Sequence, residues 1–276
     1  MDKKLDNEKI SLANKELFDL VANEYEYLFS EEFNWYVKRL LRSYIKNIIK
    51  FFGSSAFQVL DIGAGTGRIT MEFLARGIPV TAVDISPQML SILREKANKL
   101  NYGHLLTIKI CKPEEFFNSC NQQFSVVCFG GVLHHLANYE EVFLETLKLL
   151  TPKAVCLIFG EPLSWDFMKI TKFTKFFLSP INQVLATGNI LFHFPVNWRK
   201  KLKQRKIMAE DKVIHKQLWD GNFNHKYFIS SLEKRKYKIE YFRKRVDLAS
   251  GTLAWLVNSF NLTYIVFDLI ALRETK

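Results

Sequence analysis

The rhythm of apolar and polar positions changes twice along the chain. From residue 12 to 50 apolar residues recur at helical spacing, in "LFDLVANEYEYLF" and "WYVKRLLRSYIKNIIKFF", until "GSS" breaks the pattern. Short apolar runs then take over: "FQVLDIG", "IPVTAVD", "HLLTIKI", "FSVVCFG" and "KAVCLIFG". Between them stand the helical segments "RITMEFLARG", "SPQMLSILREKANKL", "PEEFFNS" and "NYEEVFLETLKLL". Strands alternating with helices at this spacing predict a parallel sheet covered on both faces. The runs are apolar throughout rather than alternating, as expected of strands buried from both sides. Residues 161–222 break the alternation; rich in Phe, Trp and Lys, they carry Pro180, Gly188 and Pro195 and read as an inserted, mostly helical subdomain. A helix ("NHKYFISSLEKRK") and two strands ("YKIEYFRKR", "LTYIVFDLIAL") close the chain.

The expected organisation is therefore an α/β fold with a helical cap over residues 1–52 and a core over 53–160. A helical lid over 161–222 and a closing helix-and-strand unit over 223–276 complete it. A chain of 276 residues, 48% of them hydrophobic, is long enough for one full core with an appendage. The cysteines Cys111, Cys120, Cys128 and Cys156 form no CxxC pair, and two of them sit inside apolar runs. This favours free thiols in a reducing cytoplasm over a disulfide or metal framework. The polar N-terminus "MDKKLDNEKISLANKE" does not read as a targeting segment. The C-terminal "GTLAWLVNSFNLTYIVFDLIALR" is apolar enough to suggest a membrane anchor, but Asn258, Asn261 and Asp268 argue against a span.

Charge is unevenly spread. Between Lys169 and Arg245 there are 19 Lys/Arg and 5 Asp/Glu, whereas the chain as a whole has 39 and 28. Such a run is either a solvated face or a surface for an anionic partner.

One motif carries chemistry. "VLDIGAGTGRIT" ends a predicted strand and opens a helix, with Gly63, Gly65 and Gly67 at alternate positions. Glycine permits a sharp turn and close approach of a ligand, and the helix start offers free N–H groups. Asp84 ends the next strand, 17 residues after Gly67, where a carboxylate can accept from two ribose hydroxyls. Together these point to a nucleoside-bearing ligand at the carboxyl ends of the strands. The GAGTG phrase, Asp61 two residues before it, Asp84 and "GVLHHL" at residues 131–136 resemble the class I S-adenosylmethionine-dependent methyltransferases. Within that family they are most similar to the quinone-biosynthesis and natural-product group.

The resemblance covers roughly residues 15–160 and 223–272. It implies a Rossmann-like sheet of seven strands, the last inserted antiparallel beside the sixth, with S-adenosylmethionine as cofactor, S-adenosylhomocysteine as product and no metal. It implies that Asp61 and the loop Gly63, Ala64, Gly65 and Gly67 hold the methionine part. Asp84 would hold the ribose, Ile85 and Met89 would pack on the adenine, and Phe129 and Gly130 would border the cofactor. Lys112 stands where many relatives carry an aspartate near the adenine amino group, a departure for which backbone groups or Glu114 would substitute.

No Asn/Asp-Pro-Pro-aromatic phrase follows the fourth strand, and no cysteine follows a proline. The first expectation is thus a small-molecule acceptor, partly apolar or anionic, with residues 161–222 as lid. RNA held by the basic run is the alternative, and a non-catalytic cofactor-binding scaffold is the third reading. "FHFPVNWRKKLKQRK" would also suit peripheral contact of a cytoplasmic protein with a membrane. The adjacent His134 and His135 mark the place of transfer. If helical, they point about 100° apart, so one can act as general base and the other as a hydrogen-bonding group. His134 is expected to face the pocket; both could instead merely shape its floor. Oligomeric state is not legible.

Overall fold

The computed structural model describes residues 2–163, 223–245 and 266–274. The expected lid falls outside the described residues from residue 164 onward, with Phe173, Phe176, Phe177, Phe192, Phe194 and Trp198. So do residues 251–265 of the apolar C-terminal segment. What is described of that segment is a strand, and among the described residues no helix is long and apolar enough to cross a membrane.

Seven strands form one sheet: β1 (Val59–Ile62), β2 (Val80–Asp84), β3 (Leu106–Ile110), β4 (Phe124–Gly130), β5 (Leu150–Pro162), β6 (Lys238–Arg245) and β7 (Val266–Arg273). Their order is β3-β2-β1-β4-β5-β7-β6. The pairs among β1 to β5 are parallel, and β7 runs antiparallel to both of its neighbours. The chain leaves β1 for β2 on one side and later returns to place β4 on the other. A crevice opens at such a switch point, beyond the carboxyl ends of the strands.

Side chains alternate across the sheet and explain its two cores. Val59, Val126, Cys128 and Phe159 face the helices α4 (Trp35–Phe52) and α5 (Thr70–Leu74). Leu60, Ile62, Val127 and Phe129 face α7 (Pro113–Ser119), α8 (Tyr139–Lys148) and the helix His225–Lys234. β1 is buried along its whole length, in line with the unbroken apolar run. β3 departs from the expectation of strands buried on both faces: it pairs only with β2, and Ile110 is 56% exposed. An edge strand has one neighbour and less cover.

The N-terminal part is more helical than its periodicity indicates, since α1 spans Asp2–Val21 and begins well before residue 12. Two short helices, α2 (Tyr25–Leu28) and α3 (Ser30–Phe33), lead to α4. Asn34 caps α4 by accepting from the Val37 N–H at 2.9 Å. On the far side of the switch point, Ser86 caps α6 (Pro87–Lys99) by accepting from Met89 N–H at 3.1 Å.

Candidate functional site

A cavity of about 520 Å³ lies at the switch point. Its floor is the loop after β1, its sides are the ends of β2 and β4, and α1 crosses over it. Gly63 and Ala64 donate their N–H groups to the Val83 carbonyl, at 2.8 and 3.1 Å, which fixes the loop to β2. Gly63 has φ +68°, and a Cβ there would lie 2.2 Å from Val132 Cγ2, so only glycine lets the loop and the residue 131–132 turn touch. Gly65 has φ +53°, and a Cβ there would meet nothing within 4 Å, because it would project into the cradle.

Asp84 ends β2 at this cradle. Its Oδ2 accepts from Gly65 N–H at 2.8 Å and its Oδ1 from Ser86 N–H at 2.9 Å. Burial raises the pKa of this carboxyl, and the two N–H donors oppose the rise. Among the described residues no Lys or Arg forms an ion pair with it. A half-buried, oriented carboxylate without a cation is suited to neutral donors such as a vicinal diol.

Of the residues expected to touch cofactor, Gly63, Gly65, Asp84, Ile85 and Met89 line this cavity. So do Lys112 and Gly130 farther along its wall. Glu114 lines it as well, its Oε1 accepting from Asn138 Nδ2 at 2.7 Å. Four expectations are displaced. The Asp61 side chain projects to the α5 face of β1 and accepts from Thr70 Oγ1 at 2.6 Å, so it secures the start of α5 from behind the loop. Its burial pushes its pKa up to about 7. Phe129 alternates to the opposite face, where its ring packs 5.6 Å from Phe143 in the core. Ala64 and Gly67 lie outside the lining: Ala64 is buried against β2, and Gly67 is pressed onto Leu93.

The histidines exchange places relative to expectation. They lie in a 3-10 turn, Leu133–His135, and it is His135 that lines the cavity. His134 turns inward, with Nδ1 2.9 Å from Oε2 of Glu161. Glu161, fully buried on β5, also accepts from the N–H groups of Val132 (2.7 Å), Leu133 (2.9 Å) and His134 (3.3 Å). One carboxylate thus grips the whole turn and sets which histidine faces out. The His134 and His135 ring centres lie 4.0 Å apart, and the Phe18 ring centre is 5.2 Å from that of His135 in an edge-to-face arrangement. Asn14 Nδ2 donates to the His135 carbonyl at 3.1 Å.

Two groups of residues escaped the sequence reading. Glu161 offered one signal, a lone acid at the end of an apolar run. Ile10, Asn14 and Phe18 recur every fourth residue and so share the face of α1 that roofs the cavity. Three acids tie that cap down: Asp19 accepts from Ser86 Oγ (2.6 Å), Glu26 from Thr66 Oγ1 (3.0 Å) and from Lys96, and Glu32 pairs with Arg68 (2.6 Å).

With this geometry in place, the chain can be compared with known proteins. A family model described as a methyltransferase domain matches residues 60–156. A probable cobalt-precorrin-6B C(15)-methyltransferase (decarboxylating) of Methanobrevibacter smithii is 41% identical over 137 residues, covering 49% of this chain and 71% of that protein. A ubiquinone/menaquinone biosynthesis C-methyltransferase of Geotalea daltonii is 22% identical over 153 residues, 54% of this chain. The match spans 63% of that relative, less than two thirds of its length. A plantazolicin methyltransferase, solved in complex with a triazolic desmethylPZN analog and SAH, superposes with a TM-score of 0.54 over 98% of both chains at 12% identity. That likeness shows the fold: a Rossmann-like sheet with seven strands and helices on both faces.

Proposed function

Because the chain belongs to the class I S-adenosylmethionine-dependent methyltransferases, we propose that it transfers a methyl group to an oxygen, nitrogen or carbon nucleophile of a small molecule, with His135 as general base. The observation that carries the reading is the pairing of the Asp84 carboxylate with the open Gly65 cradle in one cavity.

The residues present fit the cofactor. Asp84 is the acceptor for the ribose hydroxyls, and Gly65 leaves its backbone bare to the ligand. Ile85 and Met89 supply apolar surface on one wall and Lys112 and Glu114 polar groups on another. When bound, S-adenosylmethionine supplies an electrophilic methyl on a sulfonium. The protein's own work is then placement, exclusion of water and proton removal. α1 crosses the cavity, held to Ser86 by its Asp19, and covers part of it. His135 presents an imidazole at the wall, held by Asn14 at its backbone and by Phe18 at its ring, and receives the proton of a hydroxyl or amine acceptor. His134 acts at one remove, as a positioning residue that joins the turn to Glu161. The part-apolar cavity, roofed by α1, favours a small acceptor over RNA.

The test is transfer of labelled methyl from S-adenosylmethionine to a panel of quinones, phenols and amines. Turnover of at least one class is expected in wild type and is expected to fall about 10²-fold or more in His135→Ala. Equal turnover in that variant, with its fold intact, removes His135 from the mechanism.

A further inference from the structure

The helix that leads into β1 has a face that neither the sheet nor the cavity uses. Val37, Leu41, Tyr44, Ile45 and Ile48 of α4 are buried in the core. On the other side stand Trp35, Lys38, Arg39, Arg42, Lys46 and Lys50, all exposed. With about 100° between successive residues, these six fall within an arc of about 120°. Lys38, Arg42, Lys46 and Lys50 follow one another every fourth residue, a row about 18 Å long. The helix itself contains no Asp or Glu.

Such a row is unfavourable for the helix that carries it. Like charges four residues apart repel, and Lys38 lies in the first turn, at the positive end of the helix dipole. Among the described residues Glu72 of α5 is the one carboxylate that pairs with the row. It accepts from Arg42 Nε at 2.9 and 3.1 Å and is shared with Arg76 at 2.9 Å. Lys38, Arg39, Lys46 and Lys50 form no ion pair among the described residues. The fold therefore leaves most of this charge to be met from outside.

The arrangement narrows the partner. None of the six residues lines the cavity, and one helix presents them outward to an extended surface. Trp35, 49% exposed, stands at one end of the row. An indole beside cations suits the boundary between lipid headgroups and water. A second copy meeting this face with its own would bring like charges together. A single-stranded nucleic acid stacks its bases on several aromatic rings, and this face offers one.

We propose that the outer face of α4 is a docking surface for an anionic lipid membrane, with the five cations against the headgroups and Trp35 at the interface. The apolar side of α4 is already in the core, so the helix lies on the membrane by charge and does not insert. The contact is reversible and salt-sensitive. It is separate in sequence from the basic and aromatic stretch at residues 192–206, and it stands independently of methyl transfer.

The full chain is sedimented with vesicles of phosphatidylcholine alone and of equal parts phosphatidylcholine and phosphatidylglycerol. Wild type is expected to bind the anionic vesicles at least tenfold more tightly, and to leave them at about 1 M salt, where screening acts over about 3 Å. A variant combining Lys38→Gln, Arg39→Gln, Lys46→Gln and Lys50→Gln is expected to bind about 10²-fold more weakly, since each cation near such a surface contributes about fivefold. A thermal melt verifies its folding; should it fail to fold, Lys46→Gln with Lys50→Gln reads the same effect at about tenfold or more. Equal binding of the two vesicle types by wild type overturns the inference, as does undiminished binding by the folded variant. A loss seen instead in Lys200→Gln with Lys201→Gln moves the contact away from α4 and overturns it too. Salt-sensitive binding of duplex RNA without vesicle binding overturns the lipid partner.

Discussion

Glu161→Gln is the substitution that most sharply probes how the two histidines are arranged. The native carboxylate takes four contacts, from three backbone N–H groups and the His134 ring, with no solvent to replace them. Glutamine is nearly isosteric, but it retains one acceptor oxygen and turns an NH2 toward the other two donors. Two charge-assisted bonds are lost, each worth about 1.5–3 kcal/mol. Because the carbonyl can still hold the shorter pair, a net loss of roughly 3 kcal/mol is expected. For a chain of this size that is a fall in Tm of about 6–12 °C. The turn carries His135, so turnover should drop more than affinity for S-adenosylhomocysteine. Urea denaturation of wild type, Glu161→Gln, His134→Ala and the double variant forms a cycle, in which the coupling should be about 1–2 kcal/mol. A Glu161→Gln protein within about 0.5 kcal/mol of wild type, with no coupling to His134, would refute the claim that this carboxylate organises the turn.

Other outcomes follow from the same geometry. Burial holds the folded pKa of Asp61 at about 7 against an ordinary 3.8, so its contribution to stability is fully present below about pH 4 and lost as pH rises through 7. In ligand-free protein Asp61→Asn should flatten the dependence of unfolding free energy on pH between 4 and 8, by at most about 4 kcal/mol; an unchanged slope by urea titration contradicts the burial argument. His134→Ala should lower stability yet leave more turnover than His135→Ala, and steady-state kinetics showing the reverse would return the catalytic role to His134. Phe129→Ala should cost about 3–5 kcal/mol, as a core ring does, while leaving S-adenosylhomocysteine affinity within a few fold in the folded fraction; a selective loss of affinity would put Phe129 back at the cofactor.

The parallel part of the sheet was legible because β1, β2, β4 and β5 are covered on both faces and therefore read as unbroken apolar runs. β3 read the same way, but a strand's place at the edge is a property of pairing, which the run itself does not encode. The glycine loop and Asp84 were legible because ligand approach imposes backbone requirements at fixed short spacings. Asp61 and Phe129 lie in the same local phrases but on the wrong faces: period-two alternation turns Asp61 to α5 and Phe129 to the other core. The orientation of His134 and His135 depends on Glu161, 27 residues beyond His134 in the chain, and on a 3-10 turn rather than an α-helix. Asn14 and Phe18 reach the site through α1, a contact across more than 100 residues that only the folded chain reveals.

The central claim is that Asp84 and the Gly65 cradle bind S-adenosylmethionine or its product. Calorimetric titration of S-adenosylhomocysteine into wild type and Asp84→Ala tests it most directly. The account predicts one site per chain in wild type and an affinity at least tenfold weaker in the folded variant, since a charged group that accepts ligand hydrogen bonds contributes about 1.5–3 kcal/mol. No binding by wild type, or equal binding by Asp84→Ala, would contradict it.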